Sequence, residues 1–142
     1  MSRYDTFFST ATKGQQPYGY QCRLACGTDP NPDKPDTLRI GVACRSQLIN
    51  IPTGLGKTAA GVLAWLWNRM VQPDENARAA WPRRLVYCLP MRTLVEQTEK
   101  EVRRWLLRLA RKHSKPRDGS DLRWLALHSP IILMGGEDAG EW

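Results

Sequence analysis

The chain predicts an α/β fold with a parallel sheet, and three observations carry that prediction. A short apolar run at 48–51 passes through a glycine-rich turn into a helical apolar pattern at 59–70. A second apolar run at 84–89 passes through Pro90 into a long helical pattern at 93–111. Clusters of Pro, Asp, Asn and Ser separate these units, as turn formers do. Strands that alternate with helices join as a parallel sheet through right-handed crossovers, with ligands gathered at the carboxyl ends of the strands.

Taken in order, the opening residues read as irregular, and a short helix is expected at 20–26. Asp29-Pro30-Asn31-Pro32-Asp33-Lys34-Pro35 excludes both helix and central strand, because proline lacks the amide donor and restricts its predecessor. Two segments result, 1–46 with this Pro-rich insertion and 47–142 as the α/β unit. The helix at 59–70 puts Ala59, Val62, Leu63, Leu66 and Met70 on one side, and Gln72-Pro73-Asp74-Glu75-Asn76 closes it as a connector. Trp65 and Trp67 face different sides of that helix, which favours packing over base stacking. The run 84–89 reads as a buried strand, 114–121 as a polar break, and 124–127 and 131–134 as short strands parted by Pro130.

The chemistry sits in the first turn. Pro52-Thr53-Gly54-Leu55-Gly56-Lys57-Thr58 lies where a strand would hand over to a helix, so it offers a row of N–H groups and the positive helix end to an anion. Gly54 and Gly56 let the backbone approach phosphate oxygens, Lys57 supplies a point charge, and the Thr58 hydroxyl can ligate magnesium. Ile51 stands where Gly or Ala is commoner. The bland alternative is a solvated turn, and the flanking strand and helix patterns weigh against it. The loop after the second expected strand shares the same rim, and there Arg92 can reach a phosphodiester beside the free amides of a helix start.

Composition narrows the class. With 142 residues, 42% hydrophobic and 25% charged, the chain is sized for about one globular domain. No run of 18 or more apolar residues suggests a membrane span, no leader pattern is evident, and the cytoplasm is the expected location. The net charge of +7 points to a polyanionic partner, and Lys100, Arg103, Arg104, Arg108, Arg111, Lys112, Lys115 and Arg117 concentrate it. Val95, Val102, Trp105, Leu106 and Leu109 form the apolar stripe of the same helix, so the arginines face either solvent or nucleic acid. Cys22, Cys26, Cys44 and Cys88 are poorly spaced for zinc, with Cys88 read as a buried thiol. His113 and His128 read as surface or packing residues.

With these residues in place, a resemblance can be stated. Pro52 to Thr58 resembles the Walker A motif of superfamily 2 helicases, and Pro90, Arg92, Leu94 and Gln97 resemble their motif Ia. Thr93-Leu94-Val95-Glu96-Gln97, and Leu133-Met134-Gly135-Gly136-Glu137 in the place of motif Ib, are similar to the CRISPR-associated helicase of type I systems. The tail 136–142 is similar to its I-G branch, formerly I-U. The resemblance implies a RecA-like P-loop lobe in which Pro52, Thr53, Gly54, Leu55, Gly56, Lys57 and Thr58 hold ATP and Mg2+. It implies that Gln21 recognises adenine, and that Pro90, Arg92, Gln97, Gly135 and Gly136 track single-stranded DNA. A Cascade-like surveillance complex is the implied recruiting partner. Met91 and Thr93 depart from the Thr and Glu common in DEAD-box proteins, which argues against an RNA-remodelling member.

No Asp-Glu-x-His or Asp-Glu-Ala-Asp string follows these motifs, so the carboxylates that position magnesium and the attacking water are not among the 142 residues. The expectation is the front part of a first helicase lobe, with little turnover alone and marginal stability from unpaired sheet edges. Two readings remain open: part of an ATP-driven DNA translocase, or a non-catalytic module that holds nucleotide or nucleic acid.

Overall fold

The computed structural model describes residues 3–27, 41–112, 122–128 and 130–132. Six α-helices are present there: α1 Arg3–Thr12, α2 Gly19–Cys26, α3 Lys57–Leu66, α4 Glu75–Ala80, α5 Arg92–Lys112 and α6 Leu122–Leu127. A π-helical segment, Trp67–Val71, prolongs α3.

The opening is the first correction, for it is a helix. Tyr4, Phe7, Phe8 and Ala11 recur at helical spacing and are all buried, so α1 exists to deliver one aromatic face to the core. Tyr4 and Phe7 meet Trp67 at ring-centroid distances of 5.7 and 5.6 Å, the former edge-on. α1 packs on α5 and α2, α2 on α3, and α6 on α5, so residues on both sides of the 46/47 boundary share one core.

Local chemistry sets the helix ends. α2 stops at Gly27, which takes φ 72° and returns its N–H to Arg23 O at 2.8 Å, a left-handed cap that only glycine adopts without strain. Asp74 caps α4 by accepting from Asn76 N and Ala77 N at 2.9 and 3.2 Å. The connector expected at 72–76 is thus half cap, half helix. The π segment closes with Gln72 N on Trp67 O at 2.9 Å, and the Gln72 side chain donates to Asn68 O at 2.9 Å. Trp67 and Asn68 both stay buried by this device.

Among the described residues there is no strand. The runs 48–51 and 84–89 are irregular, with no ladder partner for either among the described residues. Leu48 is 97% exposed and Val86 70%. Cys88 is accordingly exposed, contrary to the expected buried thiol. Residues 124–127, expected as strand, lie in α6, where Leu122 reaches the core and Leu125 and Ala126 pack beside it at helical spacing. Of the second short strand, 131 and 132 are irregular and 133–134 lie outside the described residues. The long basic helix is as expected, with Trp105, Leu106 and Leu109 buried and Val95 and Val102 half-buried.

Candidate functional site

The glycine turn is built as a phosphate cradle requires. Gly54 takes φ 87° and Gly56 φ 75°, both in the region that side chains resist, and Gly56 is the residue that starts α3. Lys57 and Thr58 therefore occupy the first helical turn, whose amides have no intrahelical acceptor and carry the positive end of the dipole. A Cβ added at Gly54 would meet nothing within 4 Å, so the turn faces open space there. Lys57 folds back, with Nζ donating to Ile51 O at 2.8 Å. The cation is held over the turn by a neutral carbonyl, an acceptor that a phosphate oxygen outcompetes through charge. Thr58 Oγ1 lies 3.3 Å from the Tyr87 phenol oxygen.

Two residues of α2 and its approach brace the turn from behind. Gln21 is buried, and its amide is used at both ends: Oε1 accepts from Tyr18 N at 2.8 Å and Nε2 donates to Gly56 O at 3.0 Å. The contact spans 35 positions of sequence. It is close enough that a Cβ at Gly56 would stand 2.9 Å from Gln21 Nε2. Tyr20 donates its hydroxyl to Leu55 O, and its ring lies nearly parallel to that of Tyr18, centroids 6.2 Å apart. Burial raises the Tyr20 phenol pKa above its ordinary value, and the hydrogen bond from Gln21 opposes that shift. Tyr20 is therefore a neutral donor at physiological pH. Neither Tyr18, Tyr20 nor Tyr87 stood out from the sequence alone. The available signal was a phenol in the apolar run 84–89 and two more flanking Gly19.

The motif Ia residues divide. A groove of ≈ 480 Å³ joins Gly56, Thr58 and Ala59 to Leu94 and Gln97 on α5, with Lys13 at its edge. Gln97 thus reaches the glycine turn's side of the molecule. Arg92 does not line this groove; five positions away on the helix, about 140° round it, it is exposed and pairs with Glu96 at 3.5 Å. Such an exposed pair contributes little, about 0–1 kcal/mol, and leaves the guanidinium available. Pro90 is exposed beside it. Gly135 and Gly136 lie outside the described residues.

The basic helix spends several of its charges internally. Arg103 pairs with Glu99 at 2.7 Å and Arg104 with Glu101 at 3.3 Å. Arg108 donates to Ala11 O at 2.7 Å, and Lys112 to Thr10 Oγ1 at 2.9 Å. These bonds tie α5 to the end of α1, a structural use that the sequence pattern does not reveal. Lys115, Arg117 and His113 lie outside the described residues.

Cys22 and Cys26 are buried in α2, while Cys44 and Cys88 are exposed, and no group of three or more metal-binding side chains occurs among the described residues. Among the same residues no helix is long and apolar enough to cross a membrane.

Comparison with protein families matches residues 34–137 to the DEAD/DEAH box helicase family, a span that contains the turn, α3, α5 and the motif Ia loop. No curated protein and no solved structure gives a significant match.

Proposed function

The chain belongs to the DEAD/DEAH box helicase family, and from that premise we propose that residues 52–58 hold the triphosphate of ATP in a lobe of a superfamily 2 DNA translocase serving CRISPR type I interference. The observation that carries the nucleotide reading is the pair of left-handed glycines opening onto α3 with Lys57 and Thr58 in its first turn. The α3 amides and Lys57 bind the β- and γ-phosphates, Lys57 exchanging Ile51 O for phosphate oxygens. Gln21 holds Gly56 in place from behind the turn, Nε2 donating to Gly56 O.

The donor set fits magnesium. Thr58 presents a hard hydroxyl oxygen in the turn beside Lys57, and the space over Gly54 is open. Magnesium, when bound there, offsets the charge of the phosphate oxygens. Thr58 would hold it, and Gly54 and Gly56 keep side chains out of its way.

On this reading 48–51 and 84–89 belong to the parallel sheet of a RecA-like P-loop lobe. Leu85, Tyr87 and Leu89 of the second run border a cleft of ≈ 1450 Å³ lined also by Val62, Leu66, Val102 and Leu106, apolar faces of the kind such a sheet covers. Single-stranded DNA is the proposed track along Pro90, Arg92 and Gln97, continued by Gly135 and Gly136. Support for the CRISPR assignment and for a Cascade-like partner is the wording of 90–97 and 133–137, and cytoplasmic action follows from that role.

A second reading takes the chain as a binder of nucleotide or nucleic acid without hydrolysis, which the glycine turn and the groove beside it equally allow. Binding of a fluorescent ATP analogue tests the nucleotide site, with Lys57→Ala expected to weaken it at least tenfold. Equal affinity would remove the assignment. Equal binding of RNA and DNA oligomers of one sequence would remove the DNA preference.

A further inference from the structure

A threonine hydroxyl has one proton and two lone pairs, so an oxygen that gives a lone pair to a cation must send its proton elsewhere. For Thr58 the group placed to receive it is the phenol oxygen of Tyr87, 3.3 Å from Thr58 Oγ1. The placement has a structural cause. Thr58 and Gly61 are three positions apart on α3 and so share one face. A Cβ at Gly61 would stand 3.9 Å from Tyr87 Cε2, which means the bare glycine lets the ring edge lie against the helix while its hydroxyl extends to Thr58. Tyr87 arrives there from the run 84–89, and lines the apolar cleft together with Leu85 and Leu89.

We propose that Tyr87 is a positioning residue for the divalent cation of the nucleotide site, accepting a hydrogen bond from the Thr58 hydroxyl so that the Thr58 lone pairs turn toward the cation. The inference rests on the reading of 52–58 as the nucleotide turn. A partner behind a metal ligand fixes the ligand's orientation, and its loss weakens metal binding by about 10–100-fold. A single hydroxyl ligand belongs at the lower end of that range. Tyr87→Phe removes only the oxygen and keeps the ring on Gly61.

The test titrates Mg2+ against a fluorescent ATP analogue bound to the full chain and compares affinity in magnesium with affinity in EDTA. For Tyr87→Phe the Mg2+ midpoint should rise about tenfold, with affinity in EDTA unmoved. Thr58→Val should lose the magnesium-dependent gain, and adding Tyr87→Phe to it should change nothing further. A purely packing role would instead shift both affinities together and lower the melting temperature. An unchanged midpoint, a shared shift, or additive effects on the Thr58→Val background would each overturn the inference. Lys57→Ala separates the two levels. If it binds the analogue as the unaltered chain does, the turn assignment fails and Tyr87 with it; if it loses binding while Tyr87→Phe leaves the midpoint in place, only the Tyr87 inference fails.

Discussion

Asn68 is fully buried, and two of its three side-chain hydrogen bonds leave its own helix. Nδ2 donates to Ala25 O and Ala64 O, both at 2.9 Å, and Oδ1 accepts from Val42 N at 2.8 Å. The side chain therefore joins α3 to the end of α2 and to the chain at 41–42, which passes so close that a Cβ at Gly41 would strike Asn68 Oδ1. Replacing Asn68 with Leu preserves volume but strips partners from two backbone groups, Ala25 O and Val42 N. Ala64 O is spared, since it also accepts the Trp67 N–H. Each buried backbone group left without a partner costs about 1–3 kcal/mol, so the expected loss is about 2–6 kcal/mol. Against a typical stability of about 5–15 kcal/mol, that is enough to move a urea midpoint far to the left. Fluorescence of the buried Trp67 and Trp105 reports the transition. A loss under about 1 kcal/mol would show that water satisfies those groups and that Asn68 does not join the elements.

Tyr4 Oη is buried without a hydrogen-bond partner among the described residues, so Tyr4→Phe should leave stability unchanged or raise it by about 1 kcal/mol. Burial, with Cys26, Cys22 and Asp5 nearby, raises the Tyr4 pKa far above its usual value. A group raised in the folded state contributes stability below its unfolded pKa of about 10 and loses it as pH climbs through the folded value, so alkaline unfolding should begin near that pH and shift upward in Tyr4→Phe; identical alkaline midpoints would contradict this. Gly56→Ala meets both a positive φ and Gln21 Nε2, so it should cost about 1–2 kcal/mol and weaken nucleotide binding. Part of the loss should return in a Gln21→Ala background; a full-sized loss there would place the strain in the backbone alone. Arg108→Ala frees Ala11 O and should destabilise by about 1–2 kcal/mol, and a neutral result by thermal melting would deny the α1–α5 tie.

Elements whose signal is local were legible. The glycine turn carries its backbone requirement in residue type, and Gly54 and Gly56 take the positive φ values that the motif demands. The stripe of α5 is written in its 3.6-residue spacing, and so was that of α1, where Tyr4, Phe7, Phe8 and Ala11 went unread only because the segment was short. Short apolar runs were ambiguous: 124–127 fits strand and helix equally by pattern, and packing against α5 resolved it as helix. Runs 48–51 and 84–89 show the other limit, since a strand is a relation between segments and no described segment pairs with them.

Read alone, the amino-acid order determined the helicase family, the backbone of the glycine turn and the helical stripes of α3 and α5, because φ preference and periodicity act within a few residues. Tertiary structure alone decided that Gln21 presses on Gly56, that Tyr87 meets Thr58, and that Arg108 turns inward to Ala11. Those contacts join residues 35, 29 and 97 positions apart, and no local preference encodes a distance that only the packing of whole helices sets.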